Sequence, residues 1–434
     1  MLARLQSTYK KFTKDFWLLM AASFIDMLGG SLVFPFFSLF LTQKFDVGMT
    51  EVGTMFLVWA LTSGLIGNIV GGALSDKLGR KTNIILGLVA SAVSALMMIM
   101  IDDLVWFYVV IGIIGIFEDI AGPARQAMIA DLVPGDLRAD AYGIFRIIFN
   151  LAAAIAPAIG GFMATRSFEM LFIVDVFISI GVAAFVFFLL PETKPVETDP
   201  QKTDQTILQS FKGYGVVFKD KVYIIFIIIS ALSTLMYFNM NSSMSVYLVN
   251  HRGITPAQFG YILTLNATMV VLLQVLFTRW TAKWRPLIAI MIGNILYVIG
   301  FTMYGIFSSY LMYVVAMVII TIGEMIYAPK EQTVVADIAP EHMRGRYMAI
   351  HNFSWILPIS IGPLGAGLIM DNLDPRYVWF AAGIFGTLSV LGFLLLHLKA
   401  RGSFESGLKS DSEHDRIKNR DKPEMSAEGK VYSR

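Results

Sequence analysis

The sequence predicts an all-α membrane protein of twelve transmembrane helices, arranged as two six-helix bundles with pseudo-two-fold symmetry. Composition, the lengths of the apolar runs and an internal repeat carry that expectation. Of 434 residues, 56% are hydrophobic and 15% charged, against roughly 25% charged in a soluble domain, so much of the surface suits only lipid. A spanning helix needs about 20 largely apolar residues. Segments of that kind fall near 15–41, 51–73, 82–101, 104–131, 138–164, 168–190, 222–249, 256–277, 286–307, 309–336, 343–370 and 376–398. The repeat is ungapped. Glu118, Pro123, Gln126, Ala130, Asp131, Pro134 and Arg138 recur in one register as Glu324, Pro329, Gln332, Ala336, Asp337, Pro340 and Arg344. The register continues to Pro157/Pro363 and Gly161/Gly367.

Taken in order, the first apolar run, Phe16 to Leu41, follows Arg4, Lys10, Lys11 and Lys14. It exceeds the apolar core of about 7–15 residues in a signal peptide, so it is read as a retained helix. Residues 1–190 form the first bundle and 222–398 the second. Between them, 191–221 is a polar linker opening on Pro191-Glu192-Thr193-Lys194, and 399–434 has the composition of a disordered tail. Alternate loops hold Lys77, Arg80, Lys81, Arg138, Lys194, Lys202, Lys212, Lys219, Lys221, Arg279, Lys283, Arg285, Arg344 and Arg346, against Lys44, Arg166, Arg252 and Arg376 on the other side. The positive-inside rule then places both termini in the cytoplasm, and the chain is expected in the inner (cell) membrane.

Composition also narrows the function classes. A net charge of +2 suggests no nucleic-acid partner. With no cysteine, disulfides and thiolate metal sites are excluded, and five scattered histidines suggest no metal centre. No nucleotide-binding P-loop is present. No cofactor is expected, and an ion gradient is left as the energy source. Two parallel six-helix repeats are the layout of a class of secondary transporter.

Between the second and third runs stands Gly72-Ala73-Leu74-Ser75-Asp76-Lys77-Leu78-Gly79-Arg80-Lys81, fitting G-x-x-x-D-[RK]-x-G-[RK]-[RK]. Gly72 permits close helix approach, Asp76 can bond helix-end amides or an arginine, and Gly79 permits a tight turn. A plain positive-inside loop would need basic residues alone. This loop resembles the signature of the major facilitator superfamily, and the chain resembles that family over nearly its whole length. The resemblance implies that Asp76, Arg80 and Asp131 form a cytoplasmic gate and that the protein is a monomer. The matching loop of the second half, Thr278 to Arg285, keeps the positive charge without the acid. The fifth run carries Gly143, Ala152, Pro157, Gly160 and Gly161, which resembles the family's antiporter motif with alanine at two glycine positions. Its plainer reading is a small-residue packing seam.

Asp26, Glu118, Asp119 and Glu324 lie near the middle of apolar runs. A lipid-facing charge costs about 2.5–3.5 kcal/mol or more. Each must therefore face a wet cavity, meet a partner or take up a proton, and the expectation is proton coupling. Structural ion pairing is the alternative, with Arg125 and Arg146 as available partners. Asp175 is left unassigned, and Asp131 and Asp337 are read as structural or gating groups within reach of Arg138 and Arg344. The stretch from Gly323 to Asp337 resembles the tenth helix of bacterial multidrug/proton antiporters of the lactococcal type. That implies a protonatable Glu324 that also meets cationic substrates. Those proteins carry an acid in the seventh helix, where this chain has Asn239 and Asn241. Polar or aromatic candidates for the cavity are Asn150, Asn239, Asn241, Tyr327, Asn352 and Trp355. The expected function is export of a lipophilic, cationic small molecule in exchange for protons. A sugar, lipid or metabolite transporter, or a non-transporting membrane sensor, are the alternatives; no convergent nucleophile, metal or cofactor set points to an enzyme.

Overall fold

The computed structural model describes residues 9–67, 78–118, 120–194, 217–340 and 343–399. All regular structure among them is helical. In chain order the first half comprises α1 (Lys14–Phe45), α2 (Met49–Ala60, continuing as a π-helix over Leu61–Gly67), α3 (Arg80–Met100), α4 (Leu104–Leu132), α5 (Arg138–Ala164) and α6 (Phe168–Leu189). The second comprises α7 (Lys221–His251), α8 (Pro256–Trp280), α9 (Pro286–Ile306), α10 (Tyr310–Ile338), α11 (Arg344–Asn372, turning at Asn352) and α12 (Tyr377–Lys399). Eleven of these are long and apolar enough to cross a membrane, and α2 is described as far as Gly67. The expected linker and tail fall largely outside the described residues.

The helix ends follow local chemistry. The Thr13 side chain accepts the Phe16 N–H at the start of α1, and Asp220 accepts that of Tyr223 at the start of α7. Thr255 and Gln258 form a reciprocal capping box ahead of α8, with Pro256 in its first turn, where a missing N–H costs nothing. Such groups satisfy amides that have no partner inside the helix.

Packing shows the repeat. In the first half α1 lies against α5 and α6, and α3 against α6. In the second, α7 lies against α11 and α12, and α9 against α12. The halves join through two matching seams, α2 on α11 and α5 on α8. Backbones touch there. A Cβ on Gly260 would overlap the Pro157 carbonyl, and one on Gly53 would overlap the Leu364 backbone. Both seams lie toward the end of the bundle where α1 finishes and α2 begins, here termed the far end. The other, where α1 starts and Arg80 and Lys81 stand, is the basic end. At the far end Asp371, closing α11, accepts the N–H groups of Met49 (2.9 Å) and Thr50 (2.7 Å), the first turn of α2. Phe238 of α7 packs beside them on Phe34 and Phe56, at ring separations of 6.4 and 6.2 Å.

Candidate functional site

Glu324 lies about halfway along α10, and its carboxylate is held by neutral donors. The Tyr237 hydroxyl of α7 donates to Oε1 at 3.0 Å, and the Asn266 amide of α8 donates to Oε2 at 2.9 Å. The Asn266 amide nitrogen also bonds the Thr321 hydroxyl at 2.9 Å, and that hydroxyl donates to the Met317 carbonyl. Among the described residues no lysine, arginine or histidine comes within ion-pair reach of Glu324. Lys330, six residues on, instead donates to the carbonyls of Ala282 and Trp284. Aromatic rings surround the acid. Tyr237 lies 5.7 Å from Tyr297 and 6.2 Å from Trp355, and Tyr297 lies 5.8 Å from Tyr327. A half-buried carboxylate with neutral donors and aromatic faces can take either a proton or an organic cation, since ring faces attract positive charge.

Asp26 differs. Arg125 Nη2 stands 2.6 Å from its Oδ2, and both side chains are largely buried. Arginine stays protonated in proteins, so the pair is a standing neutralisation of one charge by another. Arg146, the other cation considered for these acids, bonds Gln332 across the two halves at 3.2 Å. Glu118 ends the first stretch of α4, and Asp119 lies outside the described residues, as do Gly72, Asp76 and Lys77.

The remaining candidates sort by position. Asn239 is buried at a break in α7: its amide donates to the Leu235 carbonyl and its oxygen accepts the Ser243 hydroxyl at 2.5 Å. Both ends of the amide are thus engaged at the break. Asn241 is half-buried in the same turn, and Asn150 half-buried on α5. Asn352 is exposed at the turn in α11, one turn from Trp355. In the fifth helix Pro157, Gly160 and Gly161 sit in packing contacts, Gly161 against Pro256 and Gly260 of α8. Gly143 faces open space and takes no part in that seam.

At the basic end, Arg80 Nε lies 3.3 Å from Asp131 Oδ2, which also accepts the Thr193 hydroxyl at 3.3 Å. Arg138 turns to the Val133 carbonyl instead. Gly79 has φ +97°, a conformation that favours glycine, and Glu192 closes over it. The Glu192 carboxylate accepts the N–H groups of Arg80 (2.8 Å), Lys81 (3.2 Å), Thr193 (2.9 Å) and Lys194 (3.0 Å). Partial burial pushes its pKa up, but these four amides outweigh burial and hold it below the usual carboxylate range.

Sequence reasoning missed Glu192, Asn266 and Tyr297. Glu192 was read as the start of a polar linker. Asn266 carried a usable signal, since a lone amide in the middle of an apolar run demands a partner just as an embedded acid does. Tyr297 carried none, because a tyrosine in a membrane helix is unremarkable until its neighbours are known.

A family model described as Major Facilitator Superfamily matches residues 19–240 and 226–423. A protein of Planococcus maritimus named as a Na(+), Li(+), K(+)/H(+) antiporter is 26% identical over 399 residues, covering 84% of this chain and 91% of the relative. Multidrug resistance protein MdtH of Klebsiella pneumoniae is 23% identical over 385 residues, covering 86% and 92%. Among solved structures, a variant of the nucleoside transporter NupG superposes with a TM-score of 0.75 at 14% identity, covering 88% of this chain and 99% of that one. At such identity the superposition speaks to the fold alone.

Proposed function

The chain belongs to the Major Facilitator Superfamily, and from that membership we propose that it exports lipophilic, cationic small molecules in exchange for protons. The observation that carries this reading is Glu324, bonded to Tyr237 and Asn266 and ringed by Tyr297, Tyr327 and Trp355. With the basic end taken as cytoplasmic, by the positive-inside rule, the packed seams at the far end stand on the outer side of the site. In the proposed cycle the ionised carboxylate attracts the cation while the rings take its apolar surface. A proton arriving from outside neutralises Glu324 and removes the cation's counter-charge, so cargo leaves outward. Loss of that proton to the cytoplasm resets the site. Proton and cargo compete for one carboxylate, and this competition couples them. Arg80, Asp131 and Glu192 stand where the basic end closes in the other half of the cycle.

The test is dye efflux into inverted vesicles under an imposed pH gradient. Wild type should accumulate ethidium, and Glu324→Gln should lose at least tenfold of the gradient-driven rate. Full gradient-driven transport by Glu324→Gln would remove the reading. A second reading, exchange of inorganic monovalent cations for protons, draws support from the Planococcus relative's name. It predicts that Na⁺, Li⁺ or K⁺ dissipates the pH gradient while ethidium does not.

A further inference from the structure

Seven residues beyond Glu324 on α10, Glu331 is buried, with 2% of its surface exposed, and His351 of α11 is buried at 7%. His351 Nε2 stands 3.3 Å from Glu331 Oε1. Neither atom completes a well-formed hydrogen bond, and the buried Tyr327 hydroxyl has none either. Buried polar atoms in this condition are uncommon and call for an explanation. Three of them occur along one line.

The line has a direction. Glu324, Tyr327 and Glu331 are spaced i, i+3 and i+7, which puts them on one stripe of α10, over about 10 Å at 1.5 Å per residue. Ser230, Ser233 and Glu331 surround the Tyr327 hydroxyl. Beyond Glu331 the stripe passes to His351, then one turn down α11 to Tyr347, whose hydroxyl bonds Asp220 at the basic end at 3.1 Å. Tyr223 and Tyr297 face Glu331 from α7 and α9. Lys330, the nearest cation in sequence, points away to loop carbonyls.

We propose that Glu331 and His351 form a second protonation site, on the basic-end side of Glu324, by which protons leave toward the basic end. The proposal rests on the proton-coupled reading of Glu324. In the transfer step the O–H bond at Glu324 breaks and an N–H bond forms at His351 Nε2. One proton moves, Glu324 becomes a carboxylate, and the imidazolium is balanced by Glu331. Histidine suits the task because its ordinary pKa of about 6.5 lies near working pH.

The test uses the full chain in liposomes, with wild type, Glu331→Gln and His351→Gln. Ethidium counterflow without a pH gradient checks that each variant folds and alternates. Nitrogen-15 NMR of the five histidines follows His351, assigned by its loss in His351→Gln. The expected result is counterflow within about twofold of wild type, gradient-driven transport reduced at least tenfold in both variants, and a His351 titration displaced by Glu331→Gln. Full gradient-driven rates in either variant that passes the counterflow check, or a His351 signal that does not titrate between pH 5 and 8, overturn the proposal. Glu324→Gln separates the two ideas. If it keeps full drive while Glu331→Gln and His351→Gln lose theirs, the Glu324 reading fails and the second site stands.

Discussion

The repeated plan puts Arg125 in the first half at the position where the second half has Glu331. Both are buried, and each meets one partner of opposite potential charge: Asp26 for Arg125, His351 for Glu331. The first pair contains a cation that does not titrate in proteins, so its charge state is fixed. The second contains two groups whose ordinary pKa values, about 4.3 and 6.5, bracket the mildly acidic range. One fold position therefore holds a fixed charge pair in one half and, on the proposal above, a proton-exchanging pair in the other.

The sharpest way to break this comparison is Arg125→Ala. It strands Asp26 in a buried setting, and removing one partner of a buried pair costs about 3–5 kcal/mol. A large fall in melting temperature in detergent is expected, rescued in good part by adding Asp26→Asn. Glu331→Gln should cost far less, because glutamine keeps the shape of the side chain and leaves no fixed charge without its partner. Equal destabilisation by the two changes would erase the distinction.

The seams come next. Gly260→Ala forces a methyl onto the Pro157 carbonyl, and Gly53→Ala forces one onto Leu364. Overpacking of this kind costs about 1–3 kcal/mol. Each change should wedge the far end apart, read as faster labelling of a cysteine placed at Phe238. Because the seams are pseudo-equivalent, the two variants should act alike. Tyr237→Phe removes one donor from Glu324, a bond worth about 1.5–3 kcal/mol to a charged acceptor, and should slow gradient-driven transport several-fold. The matching change in the first half is unavailable, since Asp26 relies on an arginine.

The smallest effect concerns Glu192. Its pKa is held low by four backbone amides, so the clamp on Arg80 and Lys81 is present above the ordinary glutamate value of about 4.3. It is lost only as pH falls through the lowered value. The Glu192 clamp should thus be flat from pH 8 to 5 in wild type, and Glu192→Gln should loosen it evenly across that window. Crosslinking between α3 and α4 at the basic end measures both.

The helices were legible in the sequence because lipid imposes a length and a composition on each of them. All twelve expected runs coincide with helices, α2 as far as Gly67. Glu324 was legible because an acid in the middle of a span has few reasons to exist. The choice of partners was not. Asp26 and Arg125 lie 99 residues apart, and nothing local favours that pairing over Asp26 facing water. The amide of Asn239 could serve either a solute or a broken helix, and the break in α7 that it bonds across is not announced by the residue types around it. Glu331 and His351 were hidden by the repeat itself, where attention falls on matching positions, and theirs do not match.

Asp371 caps the first turn of α2 from a place 322 residues further along the chain. During synthesis those amides emerge early, yet their acceptor arrives only when the eleventh helix enters the bilayer. Until then the second helix has a bare end in the growing chain. Completion of that junction marks the late moment in biogenesis when two nascent bundles become one protein.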